Sequence, residues 1–336
     1  VTPPRVNARI DTVRRQFDAR AARFSRHDAL VREIGNRMLE RLSFMRHATA
    51  LLVDLGCGSG ACRGALQRQF PQARWLGLDL STAMLRAGDQ PVRWHHRLGA
   101  WLWARLDGGF GTGQGTELGS EPGIGRKGGL GAWLGAAGSD AFARGGGSVS
   151  LRACASAERL PLADASVDLV FSNLMLHWHP APHAVIAEIA RVLKTGGLVI
   201  FSSYGPDTGK ELRAACAASL PAARPMPCID MHDFGDMLVD SGFEAPVMEV
   251  DTLQLTFGSA RALLTEARAL GGNPRDDRAS ALPSGRQARA LVRALESGAD
   301  AQGRLALSFE VVIGHGWKAA PRTGVQTIAM PRRLSR

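Results

Sequence analysis

Residues 51–60, LLVDLGCGSG, are an apolar run that ends on an acid and breaks into three alternating glycines. The run reads as a β-strand over 50–55. Gly56, Gly58 and Gly60 then let the backbone turn sharply and approach a ligand before a helix begins near residue 61. A strand, glycine turn and helix in succession is the opening unit of an open α/β sheet, where ligands bind beyond the carboxyl ends of the strands.

The rest of the chain continues that alternation. Residues 9–46 space their apolar side chains helically (Val13, Phe17, Ala21, Phe24, then Leu30, Ile34, Met38, Leu42, Met45), which predicts two amphipathic helices ahead of the first strand. A helix over 61–70 stops before Pro71, RWLGLD at 74–79 reads as a second strand, and STAMLRAG follows as a helix with Ser81 as cap and Gly88 as stop. Strand 167–171, helix 181–193, the turn KTGG and strand 198–202 come next. A helical, proline-interrupted stretch runs to about 228; strand 246–256, helices near 258–270 and 285–296, and strand 304–313 close the chain. The predicted fold class is α/β, a mainly parallel, doubly wound Rossmann-like sheet ending in an antiparallel strand pair.

The pattern fails only between 107 and 148, where sixteen of 42 residues are glycine. That stretch reads as an irregular, mobile insertion, and its neighbour at 94–106, with three tryptophans, as a short docking helix or packed stem.

The turn alone is compatible with a dinucleotide or with S-adenosylmethionine. Asp79, 19 residues beyond Gly60, is spaced to accept hydrogen bonds from ribose hydroxyls in either case. Asp54 separates them, because an acid just before the glycines is badly placed beside a pyrophosphate and well placed for a cationic amino-acid tail.

Four blocks, VDLGCGSG, LGLDLSTAML, ASAERLPLADASVDLVFSNLMLHW and EIARVLKTGGLVIFSS, resemble in content and order the class I S-adenosylmethionine-dependent methyltransferases. The resemblance implies that Asp54 and the turn Gly56, Cys57, Gly58, Ser59 and Gly60 hold the methionine portion. Asp79, with Leu80 beside it, would hold the ribose, and Met84 one face of the adenine. Ser156, Ala157 and Glu158 would read the adenine edge, and Asn173 and Leu174 would line the sulfonium region. Ser156 stands where this family often has an aspartate, so weaker cofactor binding is expected, its hydroxyl still offering a hydrogen bond.

FSSYGPDTGKELRAA, DMHDFGDMLVDSGF, LGGNP, LALSFEVVIGHGWK and the amino-terminal RRQFDARAARFSRH look like the malonyl-acyl-carrier-protein O-methyltransferases of biotin synthesis. What this implies is a methyltransferase domain over 48–316, capped by basic helices at 1–47 and by a helical substrate cap at about 205–235, with a basic tail at 317–336. The substrate would be the free carboxylate of malonyl-acyl carrier protein or malonyl-coenzyme A, converted to its methyl ester. Phe24 stands where members often have a tyrosine. A related group, the complex I assembly factor that hydroxylates arginine, shares GxDT…ELR and the helical cap. An arginine hydroxylase, a non-catalytic assembly factor and another small-molecule methyltransferase therefore stay open.

A malonyl carboxylate is already ionised at neutral pH, so no general base is required; positioning and exclusion of water are. Candidates for guiding it are Tyr204, the only tyrosine, with Lys210 and Arg213, and His177 with Trp178 as a chamber wall. His177, His179 and His183 lack a carboxylate spacing that completes a metal set, and five scattered cysteines without C-x-x-C suggest neither zinc nor a disulfide framework.

Net charge is +10, and it sits at the ends: residues 1–47 hold eleven arginines against five acids, and 317–336 hold five Lys or Arg against none. A positive arm beside the pocket would steer an acidic carrier protein. The strand ending SNLM lacks the N-P-P-[YF] pattern of nucleic-acid methyltransferases, and the absence of a long apolar run or signal-peptide core leads to the expectation of a cytoplasmic protein.

Overall fold

A computed structural model of the chain describes residues 10–88, 150–220, 223, 226–271, 273, 275 and 283–320. The expected glycine insertion, its tryptophan-bearing neighbour and residues 321–336 of the basic tail lie outside these.

Seven strands form one sheet in the order β3-β2-β1-β4-β5-β7-β6. Strands β1 (Leu51–Leu55), β2 (Arg74–Asp79), β3 (Ser150–Cys154), β4 (Val167–Ser172) and β5 (Leu193–Tyr204) run parallel. β7 (Leu305–Lys318) is antiparallel to both β5 and β6 (Phe243–Phe257). This is the predicted class I arrangement. Chain order reverses between β1 and β4, which are direct neighbours, so the switch point falls at the glycine turn.

Every residue of β1 is buried because helices cover both faces of the sheet. Successive side chains point to opposite faces. Leu52 joins a cluster with Ile34 and Met38 of α2 (Ala29–Ser43), Leu66 of α3 (Arg63–Gln69), Leu263 of α8 (Ala260–Leu270) and Leu291 of α9 (Gly285–Glu296). Leu51, Val53 and Leu55 join the opposite one, with Ile186 and Ile189 of α5 (Pro182–Val192) and Phe234 and Leu238 of α7 (Met231–Asp240).

The amino-terminal helix α1 (Ile10–Phe24) packs on α4 (Thr82–Ala87) through Ala21, Phe24 and Met84. A polar staple sets the register. Ser81 caps α4 by accepting the Met84 N–H, while its own hydroxyl donates to Asp18 of α1 at 2.6 Å. The turn between α1 and α2 is tied to α8 by His27 and Glu266 at 2.7 Å.

Two elements differ from the sequence expectation. β3 was not foreseen: five residues, none buried and carrying Arg152 at the centre, give no clear alternation. In addition, β5 begins ahead of the expected strand and takes in the KTGG turn. The strand runs from Leu193 through a register shift opposite Val167–Leu169, with Gly196 in the left-handed region, so the turn residues still bridge to β4.

The segment expected to cap a substrate is instead fastened to β7. The carboxylate of Glu211, on α6 (Lys210–Ser219), accepts the Ser308 N–H and hydroxyl, and the Thr208 hydroxyl donates to the Glu310 carbonyl and accepts the Glu310 N–H. Burial would raise the Glu211 pKa, but the Ser308 hydrogen bonds outweigh it and hold the group below the usual range. A carboxylate depressed on folding stabilises above its unfolded pKa, and that contribution is lost as pH falls through the folded value. Glu211→Gln should therefore cost about 1 kcal/mol in urea unfolding at pH 7, and the deficit should shrink below about pH 4. A deficit independent of pH would exclude a charge-dependent contact.

Candidate active site

The carboxyl ends of all five parallel strands converge on one open cavity. Its lining includes Gly56–Ser59 after β1, Asp79 and Leu80 after β2, Ala155–Ala157 after β3, Asn173–Met175 after β4, and Tyr204 closing β5. Ile10, Val13, Phe17 and Phe24 of α1 and Leu270 of α8 cover it.

The glycine turn is shaped by its neighbours. Gly56 has φ +74°, and a Cβ there would stand 2.4 Å from the Met175 side chain; Gly58 has φ +55°, with Met84 Cε 3.1 Å from the same test position. Only glycine relieves both the backbone strain and the crowding at Gly56. Asp79 then locks the turn: its Oδ2 accepts the Gly58 N–H at 2.8 Å and its Oδ1 the Ser81 N–H at 2.7 Å. Each oxygen keeps a second lone-pair site, so the carboxylate still has capacity for ribose hydroxyls. Burial raises its pKa, opposed by the N–H donors of Ser81 and Gly58.

Asp54 lies behind the turn, 3% exposed, with Oδ2 lacking a hydrogen-bond partner among the described residues and the Trp75 indole N–H nearby but outside hydrogen-bond geometry. A buried carboxylate oxygen without a donor is costly, and a cationic tail carried by a ligand would relieve it. The orphaned acid, the glycine cradle, Asp79, and the Met84 and Ser156 pair fit S-adenosylmethionine. That group supplies an electrophilic methyl carried on a sulfonium cation.

The other predicted residues fall into three groups. Cys57, Ser59, Leu80, Ser156, Ala157, Leu174, His177, Trp178 and Tyr204 all line the cavity. Gly60 and Glu158 do not: Gly60 backs onto Arg152, and Glu158, half-exposed, turns to His179 at 3.6 Å. Asn173 lines the cavity yet has its amide engaged, donating to Val31 O at 2.8 Å and accepting from the Ser202 hydroxyl at 2.8 Å, so it fastens α2 to β5. Leu174 pays for this joint with a positive φ of +53°.

Lys210 and Arg213 are not brought to the cavity. Lys210 is exposed beside Asp207, and Arg213 donates to the carbonyl of Thr208, because α6 is drawn onto β7. Their expected guiding role has no geometric basis here. No lysine or arginine lines the cavity among the described residues.

Toward the ends of β4 and β5 the cavity wall is aromatic. Trp178 meets Phe17 edge-on at 5.3 Å, and a Cβ at Gly271 would lie 2.0 Å from its ring, so the indole is clamped between α1 and the end of α8. Phe24, in the place of a tyrosine, packs on Met84 as a purely apolar wall. Burial raises the Tyr204 hydroxyl well above its ordinary pKa, so it stays protonated. Burial also pushes the Cys57 thiol up, leaving it inert. The covering residues of α1 were visible as apolar helical positions, but Asp18, Met175 and Arg152 carried no sequence signal.

Burial, reinforced by Asp79, lifts Asp54 to about 7. An acid whose pKa rises on folding holds its proton more tightly in the native state, so its contribution to stability falls as pH rises from about 4 to about 7. Ligand-free protein should lose thermal stability from pH 5 to pH 8, and Asp54→Asn should flatten that slope. Identical slopes would show that Asp54 is charged throughout.

Residues 106–201 match the family described as a methyltransferase domain. The chain is 37% identical over 311 residues, 92% of its length and 90% of the relative's, to a malonyl-[acyl-carrier protein] O-methyltransferase of Laribacter hongkongensis. It is 32% identical to that of a Methylovorus species, over 96% of this chain and 92% of the relative, and 33% identical to that of Gallionella capsiferriformans, over 92% and 91%. With a glycine turn locked by Asp79, an orphaned Asp54 and a covered apolar chamber, the chain belongs to the malonyl-[acyl-carrier protein] O-methyltransferase family.

Proposed function

We propose that this protein uses S-adenosylmethionine to methylate the free carboxylate of a malonyl thioester, the early step that gives biotin synthesis a neutral chain end. The observation that carries the reading is family membership along nearly the whole chain, at 37% identity over 92% of it. The chemistry of the site agrees. A carboxylate needs no deprotonation: the O–C bond forms as the C–S bond breaks, and the released pair stays on sulfur. Accordingly, the buried groups at the transfer end are neutral: His177, whose pKa burial lowers to about 3, and Tyr204, which stays protonated.

Asp79 and the glycine turn orient the cofactor, Met84 and Ser156–Ala157 bracket its base, and Asp54 takes its amino-acid tail. Trp178, Phe17 and Phe24 exclude water, which keeps the carboxylate weakly solvated and its position defined.

Labelled methyl should pass from S-adenosylmethionine to malonyl-acyl carrier protein, with succinyl and acetyl forms and malonyl-coenzyme A as comparisons. Asp79→Asn should weaken cofactor binding about tenfold or more. Base-labile methyl ester on the malonyl form supports the reading; intact cofactor binding with no methyl transfer to any malonyl thioester overturns it.

The carrier is the preferred substrate in this reading, because Arg23, at the end of the α1 helix that covers the cavity, and Arg26, in the turn that follows it, are both exposed. Acyl carrier proteins are acidic, and exposed charge acts mainly on encounter and fades with salt. Replacing Arg23 and Arg26 by glutamine should raise KM for the carrier substrate several-fold at low salt and flatten its salt dependence. Equal KM values would remove α1 from the docking surface.

A further inference from the structure

The cavity poses a specific problem: it must orient an anion, yet among the described residues no lysine or arginine lines it. Its floor is already acidic, with Asp79 on the wall and Asp54 behind the glycine turn. Neutral donors must hold the carboxylate. Most are committed. The Asn173 amide is used by Val31 and Ser202 and the Ser202 hydroxyl by Asn173; His179 accepts the Ala181 N–H at Nδ1, and its Nε2, though without a hydrogen bond, stands 3.6 Å from the Glu158 carboxylate, which would repel a second anion.

His177 is different. The ring lines the cavity and is 1% exposed, lying 4.5 Å from the Tyr204 ring and 4.9 Å from the Trp178 ring, centroid to centroid. Its Nδ1 accepts the backbone N–H of Tyr204 at 3.4 Å, an arrangement that places the proton on Nε2. That Nε2 has no hydrogen-bond partner among the described residues. A buried N–H without an acceptor is rare enough to require one from elsewhere. With Nδ1 turned to the β5 backbone, Nε2–H occupies the ring edge away from the sheet.

We propose that His177 is the neutral donor that receives the terminal carboxylate of the substrate. Its Nε2–H holds one oxygen while the other stays free to react. This rests on the carboxyl-methylation reading and assigns its specificity for a chain that ends in an acid. A neutral donor suits the reaction better than a lysine or arginine: a hydrogen bond to an ionised acceptor is strong enough to orient it, whereas a full ion pair would stabilise the reactant more than the transition state. The low pKa keeps the imidazole neutral across the working pH range, so the selection itself is independent of pH.

The test compares full-length wild type, His177→Phe and His177→Gln, each saturated with S-adenosylhomocysteine, for binding of malonyl- and acetyl-acyl carrier protein. Wild type should prefer the malonyl form. His177→Phe should lose about ten- to a hundredfold of that preference, and a matching part of kcat/KM for methyl transfer, with unchanged affinity for S-adenosylhomocysteine. His177→Gln keeps an N–H donor and should recover most of both. In wild type labelled with 15N-histidine, the Nε2–H signal should move on adding the malonyl form and not the acetyl form, a reading that holds even if a variant fails to fold. An unmoved signal, no malonyl preference in wild type, full preference in His177→Phe, or His177→Gln as impaired as His177→Phe would overturn the proposal. Wild type that binds the malonyl form selectively but transfers no methyl would overturn the reaction and leave the donor assignment standing. Normal transfer by His177→Phe would do the reverse.

Discussion

The carboxylate of Asp79 holds the site together. By accepting the Gly58 and Ser81 N–H groups it joins the ends of β1 and β2 at the point where the strand order reverses. Both donors belong to segments that cannot pair within the sheet, one in a left-handed glycine turn and the other at a helix cap. Ser81 carries the connection outward to Asp18, so the helix covering the cavity is registered against the same carboxylate that is expected to hold the cofactor. A displaced α1 would lose this polar contact as well as apolar burial against Met84.

Around that joint, the electrostatics are graded. Acids gather under the glycine turn, where burial raises the pKa values of Asp54 and Asp79, with the charge of Asp79 adding to the first and that of Asp18 to the second. Toward the carboxyl ends of β4 and β5, the wall becomes aromatic and neutral, with His177, Trp178 and Tyr204 in contact. In the proposed reaction, a cationic donor would be drawn to the first region, and an anionic acceptor would meet neutral groups in the second. Among the described residues, arginines pair outside the cavity: Arg37 and Arg41 with Glu249 and Asp251 across α2 and β6, and Arg191 with Glu188 and Asp164.

The periodicity of β1, β2, β4 and of α1, α2, α5 and α9 was legible because each buries one stripe or both faces against a continuous core. β3 was not, since a short edge strand with a central arginine satisfies no simple alternation. The cofactor half of the site was legible for a related reason: a glycine turn, an acid at the end of β2 and a capped helix are local devices written in consecutive residues. The substrate half was only partly so. His177, Trp178 and Tyr204 do line the cavity, but Lys210 and Arg213 are carried away from it by the fastening of α6 to β7.

By itself, the sequence determined the sheet class, the ligand turn and the family, because these follow from backbone restrictions and periodic burial among near neighbours. Only the tertiary structure decided which polar groups remain available. Asn173 and His177 are four residues apart on one loop, yet the first has its amide spent on α2 and β5, whereas the second keeps an unpaired Nε2 in the cavity wall. That difference is set by hydrogen-bond partners contributed from distant segments, and no local pattern of residues encodes it.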